Sequence, residues 1–349
     1  MKCGEPTQTT HRVLVGNSQK MSEVAPASVD LVVTSPPYPM IEMWDETFYA
    51  LNDGIRSRMQ QGDGVRAHEL MHDELDAVWR ETDRVLKDGA IACINIGDAT
   101  RTIGDRFQLF PNHTRVTERF RELGFSSLPS IIWRKPTNAP NKFMGSGMLP
   151  PGAYVTLEHE HILVFRKGNK RQFLSDEQKS VRSESAYFWE ERNLWFSDVW
   201  TDLRGVSQKL NHERARERSG AFPFELPYRL INMYSAKHDV VLDPFLGTGT
   251  TTLAAIASVR NSIGYEMDET LPAIVADRLA GFEEVANDYT GRRIDAHREF
   301  AASRDCEFVN QHHGFRCVSA QEMHMRFNHV DVIDTANLSN FKATYSDLK

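Results

Sequence analysis

The segment VVLDPFLGTGTTTLAAIA (240–257) constrains the fold of this chain more than any other. Its apolar start predicts a buried strand, and its run of small and apolar residues predicts a helix. Gly247 and Gly249 lie between them, where glycine lets the backbone approach a ligand at the carboxyl end of a strand. Thr252 replaces the third glycine of a GxGxxG fingerprint, and no GxxxxGK[ST] loop occurs. The segment therefore predicts a ligand-binding strand–loop–helix unit that is neither a P-loop nor a complete dinucleotide motif.

Strands and helices alternate along most of the chain. Apolar runs predict strands at 12–15, 29–33, 90–97, 130–135, 159–168 and 262–268. Helices are predicted at 70–86, 116–125, 222–235 and 270–300. The polar segment 46–68 predicts a loop or a short helix, and 136–157, rich in Pro, Gly and Asn, predicts a long loop. This alternation is typical of an α/β fold with a largely parallel sheet.

The composition is that of a globular protein, and 349 residues suit one large domain or two small ones. No 18-residue apolar run and no N-terminal signal core occur, so we expect a cytoplasmic protein without a membrane span. The four cysteines form no CxxC pair, which argues against a disulfide scaffold or a structural zinc site. A net charge of −7 excludes a uniformly basic nucleic-acid binder but permits local basic patches.

Two further segments give the chain a family resemblance. The hook TSPPYP (34–39) follows the apolar run 29–33, and Glu266 ends the strand SIGY nineteen residues after Gly247. Together with DPFLGTGTT, they resemble the catalytic and cofactor motifs of DNA amino-methyltransferases. The catalytic motif comes first, as in the circularly permuted beta group, and the resemblance spans roughly 11–290. It implies a Rossmann-like class I methyltransferase fold, a mostly parallel twisted sheet with helices on both faces.

The resemblance also implies a site for S-adenosyl-L-methionine. Glu266 is expected to hold the ribose, and the remaining cofactor-binding residues are Asp243, Phe245, Gly247, Gly249, Thr250, Phe222, Pro223 and Asn17. Phe222 has an alternative reading as simple core packing. Family members usually carry an aspartate where Asn17 stands and a tyrosine near Leu271, so the adenine contacts differ from the usual pattern.

The residues of the hook suit methyl transfer to an exocyclic amine. Such a nitrogen is a poor nucleophile, and acceptors aimed at its N–H groups favour the pyramidal shape of the transition state. The Ser35 hydroxyl and the Pro36 carbonyl are the predicted acceptors, and Pro36 and Pro37 make the turn rigid. Tyr38 is expected to offer its ring to a base flipped out of duplex DNA.

Ser35 also bears on which base is methylated. Within the family a serine here favours cytosine N4, whereas adenine-N6 enzymes mostly carry Asp or Asn. No Pro-Cys pair occurs, so the cysteine chemistry of C5 methylation is not expected. The leading hypothesis is a site-specific cytosine-N4 methyltransferase of a restriction–modification system. Alternatives are an adenine-N6 enzyme, a catalytically silent DNA-binding relative, and a nucleotide-dependent oxidoreductase.

The remaining expectations concern domains and partners. We expect a catalytic domain at 1–300, a target-recognition region at 168–218 within it, and an extension of unknown role at 301–349. The expected partners are double-stranded DNA and a cognate endonuclease, with the chain as a monomer or a homodimer. The predicted DNA-binding residues are Lys167, Lys170, Arg171, Arg204, Lys209 and Arg214. Glutamates interleave with the arginines at 213–218, so a solvated helix face is the alternative there. No metal is expected, because the pairs His68/His72 and His159/His161 lack the HExxH form.

Overall fold

A ten-stranded mixed sheet forms the centre of the molecule. The computed structural model describes residues 7–135, 144–203 and 222–348. Its strands are β1 (Thr7–Val15), β2 (Val29–Thr34), β3 (Leu86–Ile96), β4 (Ala99–Ile103), β5 (Arg106–Phe110), β6 (Ser126–Arg134), β7 (Met144–Gly145), β8 (Ala153–Tyr154), β9 (His159–Arg166), β10 (Val199–Trp200), β11 (Val240–Asp243), β12 (Asn261–Glu266), β13 (Phe308–Val309), β14 (Arg316–Cys317), β15 (Asn328–Asp334) and β16 (Phe341–Asp347).

The strand order of the sheet brings the predicted motifs together. It is β10-β6-β9-β3-β2-β11-β12-β1-β16-β15. The central run from β3 to β1 is parallel, whereas β9 and the β15–β16 hairpin are antiparallel to their neighbours. Since the carboxyl ends of parallel strands meet at one edge, β2, β11 and β12 deliver the hook, the glycine-rich turn and Glu266 to the same edge.

Helices cover both faces of the sheet, which confirms the α/β prediction. They are α1 (Asp45–Leu51), α2 (Asp53–Gln60), α3 (Gly64–Val85), α4 (Asn112–Glu122), α5 (Asp176–Glu184), α6 (Trp189–Trp195), α7 (Glu225–Tyr234), α8 (Thr250–Ala257), α9 (Leu271–Leu279) and α10 (Phe282–Ala302). One apolar core joins α3 and α4 to the sheet, and a second joins α7 and α8 to its other face. A third core, around Val275 and Tyr345, packs α9 and α10 beside β1 and β16.

Two regions differ from the sequence-based expectation. The segment 46–68 is mostly helical, because the side chains of Asn52 and Asp63 cap α2 and α3 and start α3 six residues before the predicted 70. The segment 301–349 contributes β16, which pairs antiparallel with β1 and extends the sheet. None of the described helices combines the length and the apolar character that a membrane-spanning segment requires.

Candidate active site

The hook leaves β2 at the carboxyl edge of the sheet and is fastened to the end of β3. Thr34 and Pro36 are buried, and Ser35, Pro37 and Tyr38 are partly exposed. The buried side chain of Asn112, at the start of α4, donates hydrogen bonds to the carbonyls of Pro39 (3.0 Å) and Gly97 (2.9 Å). These bonds hold the hook at a fixed distance from β3. Asn112 carries no motif, so no sequence pattern singles it out.

Tyr38 lies in a polar network beneath the hook. Its hydroxyl is 3.0 Å from Ser35 Oγ, donates to Glu160 Oε2 (3.0 Å) and accepts from Asn95 Nδ2 (2.9 Å). Burial, together with the Glu160 carboxylate, raises the pKa of Tyr38 well above its usual range, so the phenol keeps its proton. The ring packs against Gly97, where an added Cβ would lie 3.0 Å from Tyr38 Cε2. The predicted catalytic tyrosine is therefore fixed in both position and protonation state.

Asp243 connects the hook to the glycine-rich turn. One carboxylate oxygen accepts hydrogen bonds from Thr34 Oγ1 (2.6 Å) and from the Phe245 amide (3.0 Å). The other accepts from Thr251 Oγ1 (2.6 Å). Burial raises the pKa of Asp243 to about 6 despite these donors. The carboxylate, expected from the sequence to line the cofactor, thus bonds within the protein and joins the two motifs.

Gly247 and Gly249 both adopt left-handed backbone conformations, with φ of +56° and +83°. A Cβ on Gly249 would lie 2.9 Å from Val275 Cγ1, so this glycine permits the packing of α9 against the turn. A Cβ on Gly247 would meet no atom within 4 Å. Gly247 therefore borders open space, as a backbone that approaches a ligand should.

Arg278 of α9 stabilises the glycine-rich turn through hydrogen bonds. Its guanidinium donates to the carbonyl and hydroxyl of Thr248 (both 2.7 Å) and to Thr250 Oγ1 (2.9 Å). The predicted cofactor residue Thr250 is buried and already bonded through its hydroxyl. Burial lowers the pKa of Arg278 from its ordinary value. Arg278 was not predicted, because it lies 28 residues from Thr250 in a helix without a motif.

Glu266 stands at the end of β12, beside the turn. Its two carboxylate oxygens accept from the amides of Gly247 and Asp268, each at 2.8 Å. Burial raises the pKa of Glu266, although the amide donors oppose this shift. The Gly16 amide donates to the Glu266 carbonyl (2.8 Å), which brings Asn17 to the same edge. Asn17 is exposed, and its side chain is bonded to Gln19.

The aromatic residues predicted to contact the cofactor pack against the protein. Phe222 is 7% exposed and belongs to the core cluster under α7, in agreement with its alternative reading as core packing. Pro223 beside it is also buried. Phe245 is partly exposed, and its ring meets Trp79 edge-on at a centroid distance of 5.9 Å. Of these three residues, Phe245 is the most exposed and is therefore the best placed to contact a ligand.

The predicted DNA-binding residues fall into three groups. Lys167 and Arg171 form salt bridges within the chain, with Asp83 (2.9 Å) and Asp239 (2.6 Å) respectively. Lys170 is exposed, and its ammonium makes no ion pair with a described residue. The other predicted residues lie outside the described ranges: Arg204, Lys209 and Arg214.

The histidine pairs noted in the sequence have protein partners. His68 and His72 share Asn112 Oδ1, at 2.9 and 3.1 Å, and burial lowers the pKa of both. His161 stacks on His113 at a centroid distance of 4.0 Å and an angle of 17°. His113, bonded to Asp98 (2.7 Å), completes a group of potential metal ligands within 4.8 Å of one another. Because the two rings are nearly parallel, a cation in the plane of one would lie outside the plane of the other.

The chain matches a known family model and curated relatives. A family model described as DNA methylase, N6_N4_Mtase, matches residues 29–276. The Type II methyltransferase M.MthZI of Methanothermobacter thermautotrophicus is 51% identical over 342 residues, covering 98% of this chain and 96% of that protein. The Type II methyltransferase M.MjaI of Methanocaldococcus jannaschii is 50% identical over 282 residues, covering 78% of this chain and 91% of that protein.

Solved structures show the same architecture. TTHA0409 of Thermus thermophilus, solved with S-adenosyl-L-methionine, has a TM-score of 0.61 and 33% identity, covering 78% of this chain and 95% of that chain. The PvuII DNA methyltransferase (cytosine-N4-specific) has a TM-score of 0.51 and 19% identity, covering 82% and 95%. The second likeness concerns the fold alone, and together they confirm the predicted methyltransferase fold. The chain therefore belongs to the DNA methylase family N6_N4_Mtase.

Proposed function

We propose that this chain methylates the exocyclic N4 amine of a cytosine flipped out of duplex DNA, with S-adenosyl-L-methionine as the methyl donor. One observation carries the proposal: the 2.6 Å hydrogen bond from Thr34 to Asp243 sets Ser35 of the hook beside the glycine-rich turn. A methyl acceptor held by Ser35 and a donor held by the turn would then be neighbours. The order of the motifs supports the permuted beta group, and the Type II names of both relatives support a restriction–modification role.

The turn fits the proposed cofactor. S-adenosyl-L-methionine supplies an electrophilic methyl group on a sulfonium. The open side of Gly247 leaves room for the ligand beside the backbone. Glu266 presents a carboxylate at the tip of β12, where each oxygen retains a lone pair for a ribose hydroxyl besides the amide it already accepts. Phe245 and Asn17 border the same edge and complete the proposed lining.

The hook fits the proposed acceptor. Ser35 Oγ and the Pro36 carbonyl would accept the two amine hydrogens and favour a pyramidal nitrogen, which can attack in line. Asn112 and the prolines hold these acceptors before the base arrives, so little reorganisation is needed. A neutral serine at position 35, rather than Asp or Asn, is the basis for proposing cytosine N4 over adenine N6.

The rest of the chain has proposed roles around this centre. We place the catalytic domain at 1–300 and target recognition at 168–218, with Lys167, Lys170 and Arg171 near its start. A cognate endonuclease is the proposed functional partner. The hairpin β15–β16 gives the segment 301–349 a structural role, because it continues the catalytic sheet.

The test is the product itself. Purified protein is incubated with methyl-labelled S-adenosyl-L-methionine and genomic duplex DNA, and the digested nucleosides are separated by mass spectrometry. We expect label in N4-methylcytosine, none after Ser35→Ala, and an unchanged yield after Ser22→Ala at an exposed serine. Label in N6-methyladenine would overturn the choice of base, and label found only in RNA would overturn the DNA substrate.

A further inference from the structure

A chain of hydrogen bonds leads from the hook to a buried carboxylate that is not among the predicted site residues. Ser35 Oγ lies 3.0 Å from the Tyr38 hydroxyl, which lies 3.0 Å from Glu160 Oε2. Glu160 belongs to β9 and is 9% exposed. Its other oxygen accepts from Lys135 Nζ at 2.8 Å. A serine at the methyl-transfer position is thus connected, through one phenol, to a carboxylate.

The direction of each hydrogen bond follows from the carboxylate. An ionised carboxylate only accepts, so the single proton of Tyr38 points to Glu160. Asn95 Nδ2 donates to the Tyr38 oxygen (2.9 Å) and to Glu160 (2.7 Å), which leaves one lone pair of the phenol for Ser35. Ser35 must therefore donate its own proton to Tyr38. Its oxygen lone pairs then remain free to accept an N–H of the target amine.

The buried side chain of Asn95 fixes the direction of these hydrogen bonds. The side chain is 2% exposed and uses its amide hydrogens on Tyr38 and Glu160. Its Oδ1 atom is buried without a hydrogen-bond partner among the described residues. Both bonds end on atoms that offer lone pairs, so neither can be reversed while Glu160 is ionised. The network is consequently arranged to point the phenol proton at Glu160.

We propose that Ser35, Tyr38 and Glu160 form a proton relay, with Glu160 as the acceptor of the proton that the amine loses on methylation. The inference rests on the proposed function, and it applies to either exocyclic amine. The amine nitrogen bonds to the methyl carbon as the sulfur–methyl bond breaks, and that electron pair stays on sulfur. The amine proton then passes to Ser35 Oγ, the serine proton to the Tyr38 oxygen, and the phenol proton to Glu160 Oε2. Ser35 and Tyr38 end unchanged, and Glu160 holds one proton.

The surroundings of Glu160 suit this role. Lys135 contacts the oxygen that faces away from Tyr38, and the lysine side chain is 43% exposed. The ammonium has no lone pair and cannot carry the proton, so Glu160 releases it to water at this edge of the network, where Lys135 is exposed. Tyr38 and Lys135 are the titratable groups in contact with Glu160 among the described residues, and His159 and His161 flank it along β9.

Single-turnover methyl transfer, measured across pH with enzyme in excess over DNA, tests the relay. General acid–base groups contribute roughly 10²–10⁴-fold to rate, so Glu160→Gln should slow transfer about 100-fold. The shape of the pH–rate profile should also change in Glu160→Gln, because the variant lacks the carboxylate that ends the relay. Tyr38→Phe should slow transfer similarly, and the double variant should be no slower than either single variant. A merely structural role for Glu160 would lower the rate without changing the shape of the pH profile.

Controls separate the relay from folding and from the proposed function. Glu158→Gln removes a surface carboxylate that pairs with Arg134 at 3.3 Å, and it should transfer at the wild-type rate. The calorimetric S-adenosyl-L-methionine affinity of Glu160→Gln should match the wild type, and thermal unfolding should show that the variant is folded under the assay conditions. If the wild type methylates DNA and Glu160→Gln does so at an undiminished rate, the relay is wrong and the proposed function stands. The same holds if the effects of Glu160→Gln and Tyr38→Phe multiply in the double variant. A wild type that methylates no DNA would overturn the proposed function and the relay with it.

Discussion

The Thr34 hydroxyl donates a 2.6 Å hydrogen bond to Asp243, a residue 209 positions further along the chain. Thr34 is the last residue of β2 and Asp243 the last residue of β11, so the bond joins two adjacent parallel strands where both leave the sheet. It fixes the distance between the hook and the glycine-rich turn. The two motifs are therefore one structural unit, although they lie far apart in the sequence.

Replacement of Thr34 tests this unit. Thr34→Val keeps the shape of the side chain but leaves a buried Asp243 oxygen with one donor fewer, a loss of about 1–3 kcal/mol of unfolding free energy. We expect weaker S-adenosyl-L-methionine binding as well, because Asp243 also holds the Phe245 amide of the turn. Thr34→Ser, which retains the hydroxyl, should restore most of both. Denaturant unfolding and calorimetric titration measure the two effects, and a Thr34→Val protein with unchanged cofactor affinity would contradict the coupling.

The two glycines of the turn should respond differently to alanine. Gly247→Ala adds a Cβ in open space at φ +56°, so its stability cost should be limited to the left-handed penalty of about 1–2 kcal/mol. The same Cβ enters the proposed ligand space, and we expect at least about a tenfold loss of cofactor affinity, or ~1.4 kcal/mol. Gly249→Ala adds a clash with Val275 and should destabilise the fold more.

Gly291→Ala is the matched control for these variants. Gly291 lies within α10, where its Cβ would meet nothing within 4 Å, and it should be neutral or stabilising by about 0.5–1 kcal/mol. Thermal unfolding without S-adenosyl-L-methionine compares the stability of the three variants. The shift in unfolding temperature when it is added compares their cofactor binding. Equal cofactor-induced stabilisation of the wild type and Gly247→Ala would place the ligand elsewhere.

Neighbouring basic residues should have separable roles. Lys170→Ala should weaken duplex DNA binding and reduce the slope of log affinity against log salt by about one, without loss of stability. Arg171→Ala removes the partner of the buried Asp239 and should cost about 1–3 kcal/mol of unfolding free energy. Fluorescence anisotropy at several salt concentrations and denaturant unfolding separate the two. An unchanged salt slope for Lys170→Ala would remove that residue from the DNA surface.

Lys237 should give the protein a pH-dependent stability. Its ammonium is buried and donates to Asn328 Oδ1 at 2.6 Å, and burial lowers the pKa of Lys237 to about 7. Between about pH 7 and the ordinary lysine pKa of about 10.4, the unfolded chain binds more protons than the folded one. The unfolding free energy should therefore rise with pH in this window, by up to ~1.4 kcal/mol per unit from this group.

Lys237→Met should remove that contribution. Denaturant unfolding at about pH 7 and about pH 9.5, within the window between the two lysine pKa values, gives the slope for each protein. Lys342→Met, at an exposed lysine of β16, is the control and should keep the wild-type slope. Parallel pH profiles for Lys237→Met and the wild type would refute the buried lysine as the cause.

The sequence predicts the parts of this site that are built from contiguous motifs. Gly247, Gly249 and the hook could be found because their conformations follow from glycine and proline at fixed positions. Asn95, Glu160 and Arg278 could not be found in this way, because they reach the site through the packing of strands and helices that are distant in the sequence. β15 is hard to predict for another reason: an irregularity between Val330 and Val332 breaks the two-residue alternation on which strand prediction depends.

The pairing of β16 with β1 also determines which strand forms the edge of the sheet. Without the C-terminal hairpin, the nine-residue strand β1 would present an unpaired backbone edge at the end of the sheet. An open edge of that length is a template for pairing with a second chain. The hairpin replaces it with β15, a strand that carries the exposed carboxylates Asp331 and Asp334 and is interrupted by its irregularity. The hairpin thus covers the backbone edge of β1, and we expect a chain shortened to 1–300 to lose solubility even with every motif of the site intact.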